Sequence, residues 1–193
     1  MKMRFLLLLI ILTNSSLYAV ETLPVTKLRI RQPNWIPAVV DTYSQGGLKE
    51  LLYFEPQNDD HVPVKKQLFS PEGMVVVEAD VANSQGKGVV NHGPEVFFNE
   101  IGRIEMIRFY HFGVLHGPYK TYFTDGTLRS IVDYDQGLSQ GPYQEFYSDG
   151  KPAVKAAYKD GRLHGLYESF YPDGQRSASR VYVDGLLQGE ASE

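Results

Sequence analysis

The chain has 193 residues, with 19 Lys and Arg against 23 Asp and Glu, and it contains no cysteine. Its length and ordinary apolar content fit one globular or repeat domain. The missing thiols exclude disulfides, thiolate metal sites, cysteine nucleophiles and a lipid-modified N-terminal cysteine, and the acidic balance argues against nucleic acid and against electrostatic attachment to anionic lipid.

Residues 1–19 read as a signal peptide. Lys2 and Arg4 give a positive start, Phe5 to Leu12 is an unbroken apolar run, and Thr13 to Ala19 is a more polar tail that ends on a small residue. That pattern fits a cleaved export signal. A retained anchor is the alternative, but an eight-residue apolar run is far short of the ~20 residues that span a bilayer. Cleavage would remove Lys2 and Arg4 and leave 17 basic against 23 acidic side chains, a net of −6. The mature protein is then expected to be exported, in the periplasm or outside the cell.

Residues 20–36 form an N-terminal cap segment. Lys27-Leu28-Arg29-Ile30-Arg31 alternates polar and apolar, the period of a half-buried strand. Pro33, Trp35 and Pro37 then break regularity. Trp35 is the only tryptophan and is expected to plug the open end of the array that follows, since end units of repeat proteins need capping.

The rest of the chain is periodic. Gly113, Gly137, Gly161 and Gly185 repeat at a 24-residue step, and so do Gly117, Gly141, Gly165 and Gly189. Tyr119, Tyr143 and Tyr167 keep that step, as do Tyr122, Phe146 and Phe170, the pairs Asp125-Gly126, Asp149-Gly150 and Asp173-Gly174, and the series Tyr110, Tyr134, Tyr158 and Tyr182. Repetition of this kind signals an array of like supersecondary units. The regular repeats occupy 89–193, and a degenerate form can be traced through 37–88. Six units carry turn glycines at Gly46, Gly73, Gly102, Gly126, Gly150 and Gly174. The first two intervals are longer, 27 and 29 residues, which places enlarged loops at Gln57 to Asp60 and at Asn83 to Gly88.

Each unit reads as a β-hairpin. Asp-Gly is a strong signal for a two-residue type I′ turn, which needs positive φ at both central residues. Helices are not expected, because Gly or Pro interrupts almost every ten-residue window of the repeat. A two-residue loop sets Phe123 opposite Leu128, Thr121 opposite Ser130 and Tyr119 opposite Val132. One face then carries Tyr119, Thr121, Phe123, Leu128, Ser130, Val132 and Tyr134. The other carries Lys120, Tyr122, Arg129, Ile131 and Asp133. In the next copy Tyr143, Tyr147, Val154, Ala156 and Tyr158 share the first face. A one-residue slip would exchange the faces.

The pattern Gly-x-Tyr-x-x-Tyr/Phe-x-x-Asp-Gly, followed by Tyr and a further Gly, resembles the MORN-repeat variant, often labelled YwqK-like antitoxin in bacterial proteins. The resemblance covers about 89–190 closely and 37–88 faintly. It implies an all-β fold, consecutive antiparallel hairpins side by side in one elongated twisted sheet. It also implies scaffolding and protein contact, with a looser link to membrane lipid, and it brings no catalytic residues. An antitoxin would act in the cytosol, which conflicts with an export signal.

The polar residues suggest no chemistry. His92, His116 and His164 share one repeat position with Gln140 and Gln188. Equivalent positions lie two strands apart, ~9.5 Å, too far to share one zinc ion, and replacement by Gln fits a turn-capping hydrogen bond better. Asp133-x-Asp135-x-Gly137 lacks the later acidic ligand of a calcium loop. The Asp-Gly aspartates recur along one edge rather than forming a unique desolvated pair, and no nucleophile elbow, phosphate loop or zinc-protease motif is present. The chain therefore reads as non-enzymatic, with no cofactor and no metal. Gly117, Asp125, Gly126, Gly141, Asp149, Gly150, Gly165, Asp173 and Gly174 are expected as structural turns. Tyr119, Tyr143, Tyr147, Tyr167, Tyr171 and Arg180 form the candidate binding face, with Arg176 beside them. The leading reading is a protein-interaction or scaffold module in the cell envelope that holds a protein partner. The alternative is a carbohydrate or cell-wall binder using the Tyr ladder. An antitoxin-like inhibitor, lipid binding and edge-to-edge self-association complete the set. Equally open is a ladder that serves only as the protein's own core.

Overall fold

A computed structural model describes residues 28–58 and 60–190; the proposed signal peptide lies outside these. The strands are β1 (Ile36–Thr42), β2 (Leu48–Gln57), β3 (Asp60–Phe69), β4 (Val75–Ser84), β5 (Gly88–Phe98), β6 (Ile104–His111), β7 (Val114–Leu115) and β8 (Gly117–Tyr122). They continue with β9 (Leu128–Asp135), β10 (Leu138–Phe146), β11 (Pro152–Lys159), β12 (Arg162–Leu163), β13 (Gly165–Phe170), β14 (Arg176–Val183) and β15 (Leu186–Glu190). All belong to one sheet in which spatial order follows chain order and every pairing is antiparallel, with β7 and β12 as short pieces beside β6 and β11. Among the described residues there is no helix. The chain is therefore an all-β meander of consecutive hairpins, with β1 and β15 as the edge strands among the described residues.

The two kinds of turn are exchanged relative to the sequence expectation. At the Asp-Gly tips, Phe123 N–H donates to Thr127 O and Gly126 N–H donates to Phe123 O. The loop therefore has three residues, not two. Gly126 has φ 93° whereas Asp125 is not in the left-handed region. This is the three-residue hairpin loop with glycine at its last position. Instead of taking positive φ, Asp125 folds its carboxylate back to accept from Thr127 N (2.8 Å) and Thr127 Oγ1 (2.7 Å). Asp149 and Asp173 accept from Lys151 N and Gln175 N in the same way. The same pair of backbone bonds closes the loops at Gly46, Gly73, Gly102, Gly150 and Gly174. The two-residue turns with positive φ at both positions lie on the opposite edge, at Phe112-Gly113, Gln136-Gly137, Asp160-Gly161 and Asp184-Gly185. Their glycine N–H groups donate to Asn91, Leu115, Ser139 and Leu163 of the preceding hairpin, so this edge is laced from unit to unit.

A bulge then corrects the register that the longer loop displaces. Tyr122 pairs with Leu128, but Thr121 pairs with Ser130 and Tyr119 with Val132, leaving Arg129 extra. The strand bodies keep the expected pairing while Leu128 and Arg129 change sides. Leu128 joins Tyr122. Arg129 joins the tyrosine face, its guanidinium 5.8 Å from the Phe123 ring. Bulges of this kind change register without ending a hairpin.

Gly117, Gly141 and Gly165 are not turns. Gln140 pairs with Asp133, but Tyr143 pairs with Val132, so Gly141 and Pro142 of β10 have no partner on β9 while pairing with Tyr158 and Ala157 of β11. The glycine supplies the positive φ, and proline there withholds no N–H from the ladder. The enlarged loops are absent as well. Gln57 pairs with Asp60 and Ser84 with Gly88, and the extra residues lengthen β2 to β5 to 10 or 11 residues.

No strand forms over residues 28–31. The Arg29 N–H donates to the Asp80 carboxylate at 3.1 and 3.2 Å, so this backbone is anchored to a side chain rather than to a sheet edge. Trp35 is 5% exposed and packs with Tyr53 and Val64. It covers the surface of β2 and β3 and does not plug the end of the array.

Candidate interaction surface

The antiparallel registers place Arg108, Tyr119, Val132, Tyr143 and Ala156 in one row across the sheet. The pairing of Val154 with Ser169 carries Ala156 to Tyr167, and Tyr167 faces Arg180. A tyrosine thus recurs on every second strand, ~9.5 Å apart. The residues between the rings are small, and Val132 and Ala156 are buried beneath their flanks. A second ring in each unit completes the row: Tyr119 lies 5.7 Å from Tyr134, Tyr143 5.8 Å from Tyr158, and Tyr167 6.1 Å from Tyr182. Spacings in this range allow favourable edge-to-face contact.

The ladder is neither core nor open surface. Tyr119, Tyr143 and Tyr167 are half-buried, shielded sideways by neighbouring strands. Two of the hydroxyls are engaged within the sheet: Tyr119 donates to Met106 Sδ at 2.7 Å and Tyr143 to Glu145 Oε2 at 3.0 Å. Burial raises the Tyr143 phenol well above its ordinary range, with the Glu145 hydrogen bond adding to it. Tyr147 belongs to a tip loop, where its hydroxyl donates to Phe170 O of the next unit at 2.7 Å. Tyr171, its counterpart, is 56% exposed. Arg180 is exposed at the C-terminal end of the row. Arg176 does not join this face: it pairs with Phe170, and its guanidinium reaches Glu168 at 3.3 Å on the other side.

The shared His/Gln position reaches across to the following two-residue turn. His116 Nδ1 lies 3.1 Å from Asp135, Gln140 donates to Asp160 at 2.7 Å, and His164 Nδ1 lies 3.2 Å from Asp184. The interchange of His and Gln is explained by this bond, which either side chain can make. Among the described residues no group of three or more His, Asp or Glu side chains is placed to hold a metal ion.

Two ionic groups were not foreseen. On the tyrosine face, Glu95 is buried and accepts from Arg108 and Asn91. The visible hint was Glu95 standing where later copies have Tyr. On the opposite face, Lys65 is 1% exposed and lies 2.5 Å from Glu78 and 3.5 Å from Asp80. Its sequence neighbourhood carries no periodic clue, because the degenerate copies hide their register.

No curated protein matches the chain. Residues 115–136, 139–160 and 163–184, each running from one two-residue turn to the next around a single Asp-Gly tip, match the family model of the MORN repeat variant.

Proposed function

We propose that the protein is a non-catalytic interaction module of the cell envelope, exported by its N-terminal segment, that holds a protein partner along the tyrosine row. The supporting observation is the half-exposed ladder Tyr119, Tyr143 and Tyr167, which no second layer covers among the described residues. It ends on exposed Arg180, and Tyr171 is exposed at the Asp173-Gly174 tip of the same unit. Tyr and Arg are among the residue types that dominate interface hot spots.

A crosslinking pull-down with the full chain from the exporting cell tests this reading, using Tyr171→Ala and Arg180→Ala as comparison baits. Both residues are exposed, so folding is not at issue. Capture of a defined envelope protein that fades with either variant supports the proposal. Retention on peptidoglycan or polysaccharide with no protein captured overturns it in favour of a carbohydrate binder, which the regular spacing of the rings also suits. Terminal sequencing of protein recovered from the envelope tests export: an intact Met1 would sink cleavage.

A further inference from the structure

Three imidazoles meet on the crossover edge where the degenerate hairpins give way to the regular ones. The rings of His92 and His111 are centred 5.3 Å apart, and those of His111 and His116 6.0 Å apart. His92 and His116 hold one repeat position on different hairpins. The gap between them is filled by His111, whose counterparts in later copies are Asp135, Lys159 and Val183. Together with Arg29 and Asp80 the three line a groove of about 450 Å³.

This copy also departs from its siblings at the turn. Phe112 has φ 44° and is 41% exposed, whereas Gln136, Asp160 and Asp184 fill the position elsewhere. A bulky residue with positive φ is uncommon and costs backbone energy. Phe112 stacks on His92 with ring centres 4.2 Å apart, and its N–H donates to His92 Nδ1 at 3.3 Å. With Nδ1 occupied as an acceptor, the neutral ring carries its proton on Nε2. That nitrogen is then a hydrogen-bond donor and has no lone pair for a metal.

The acid in the groove already has partners. Asp80 receives the Arg29 N–H and lies 3.5 Å from the Lys65 ammonium. Of the three imidazoles, His116 has a carboxylate beside it, Asp135. Among the described residues the Arg29 guanidinium, His92 and His111 have no such partner. Burial depresses the His92 pKa, and His111 and Arg29 depress it further, while Asp80 acts in the opposite sense. The groove thus offers the Arg29 guanidinium and ring N–H donors side by side.

We propose that this groove binds an oxyanion, the carboxylate or phosphate group of a ligand, through Arg29, His92, His111 and His116. A charge-assisted hydrogen bond from the Arg29 guanidinium, joined by N–H donors of the imidazole rings, supplies the affinity. Phe112, stacked on His92 and donating to its Nδ1, fixes the donor nitrogen. The groove is separate from the tyrosine row, so the Tyr171 and Arg180 baits can fail or succeed independently of it.

The test is an NMR titration of the histidine ring protons in the full chain, at constant ionic strength held with chloride. Sulfate and acetate serve as probes, at pH 6 and pH 8. Expected are saturable shifts of His92, His111 and His116 at either pH. Preference for sulfate assigns a phosphate-type group, and preference for acetate a carboxylate. Arg29→Gln and His111→Gln each weaken binding about tenfold. His164→Gln, at the same repeat position outside the groove, changes nothing. Absence of saturable shifts in the unaltered protein overturns the proposal. So does tight zinc binding at the three rings without a sulfate effect.

Discussion

Glu95 and Arg108 face each other across β5 and β6, and Glu95 Oε2 accepts a 2.6 Å hydrogen bond from Arg108 Nε. Glu95 is 4% exposed. Its other oxygen accepts from Asn91 at 2.8 Å, and Asn91 in turn accepts from Lys66. The Arg108 guanidinium spreads over Phe97 and Tyr110 at 4.7 and 5.4 Å. Where the regular copies stack a tyrosine, this copy closes the face with a satisfied ionic network. Removing one partner of such a network leaves a buried group unpaired. Arg108→Ala, which strands the buried Glu95 carboxylate, should therefore cost about 2–4 kcal/mol in urea unfolding. Glu95→Ala should cost somewhat less, because the Arg108 side chain left behind is partly solvated. The double variant should lose less than the sum of the two. Additive losses would show that the pair does not act as a unit.

The same network sets an alkaline limit. Tyr110 is pushed up to about 12, first by burial and then by the Glu95 charge. A phenol whose folded pKa lies above its unfolded value of 10.0 favours the native state while neutral. Its contribution is complete below pH 10 and is lost as pH rises towards 12. Following tyrosinate absorbance and far-UV circular dichroism together should show unfolding in that window. Glu95→Gln should move the Tyr110 transition only part of the way back, because burial is the larger cause.

Backbone conformation separates glycines that composition cannot. Gly137 has φ 82° in a two-residue turn, a region that costs an L-residue roughly 1–2 kcal/mol. Gly189 belongs to the other glycine series, lies outside the left-handed region and has open space where a Cβ would stand. Gly137→Ala should lower stability by about 1–2 kcal/mol, and Gly189→Ala should be near neutral. Equal effects in thermal melts would contradict the assigned turn.

These contrasts mark what could be read in advance. The 24-residue step and the alternation of Tyr119, Thr121, Val132 and Tyr134 were enough for hairpins, an all-β sheet and the composition of the strand bodies. The tips were misread, because an Asp-Gly pair serves both a two-residue and a three-residue loop, and only the backbone bond from Phe123 to Thr127 separates them. The error remained local, since the bulge at Arg129 restored the parity that the extra loop residue had shifted. Lys65, Glu78 and Asp80 were illegible for a different reason. Their meeting depends on the register of two long strands whose repeat has decayed, and on the anchoring of Arg29 from far away in sequence.

Tyr143 decides what the ladder is for. Its ring is half-buried, flanks Tyr158, and shelters Val132 on one side and Ala156 on the other. Full burial of such a ring would make truncation cost ~3–5 kcal/mol. Partial burial predicts about 2 kcal/mol, because water already reaches part of it. Tyr143→Ala should therefore remain a folded sheet with a lower melting temperature. Tyr143→Phe should lose only the hydrogen bond to Glu145, about 0.5–1.5 kcal/mol. Combined with the pull-down, these variants separate two roles. If Tyr143→Ala unfolds the protein outright, the row is core and the interface must lie at an edge. If it melts lower but stays folded and loses the captured partner, the row is the contact surface.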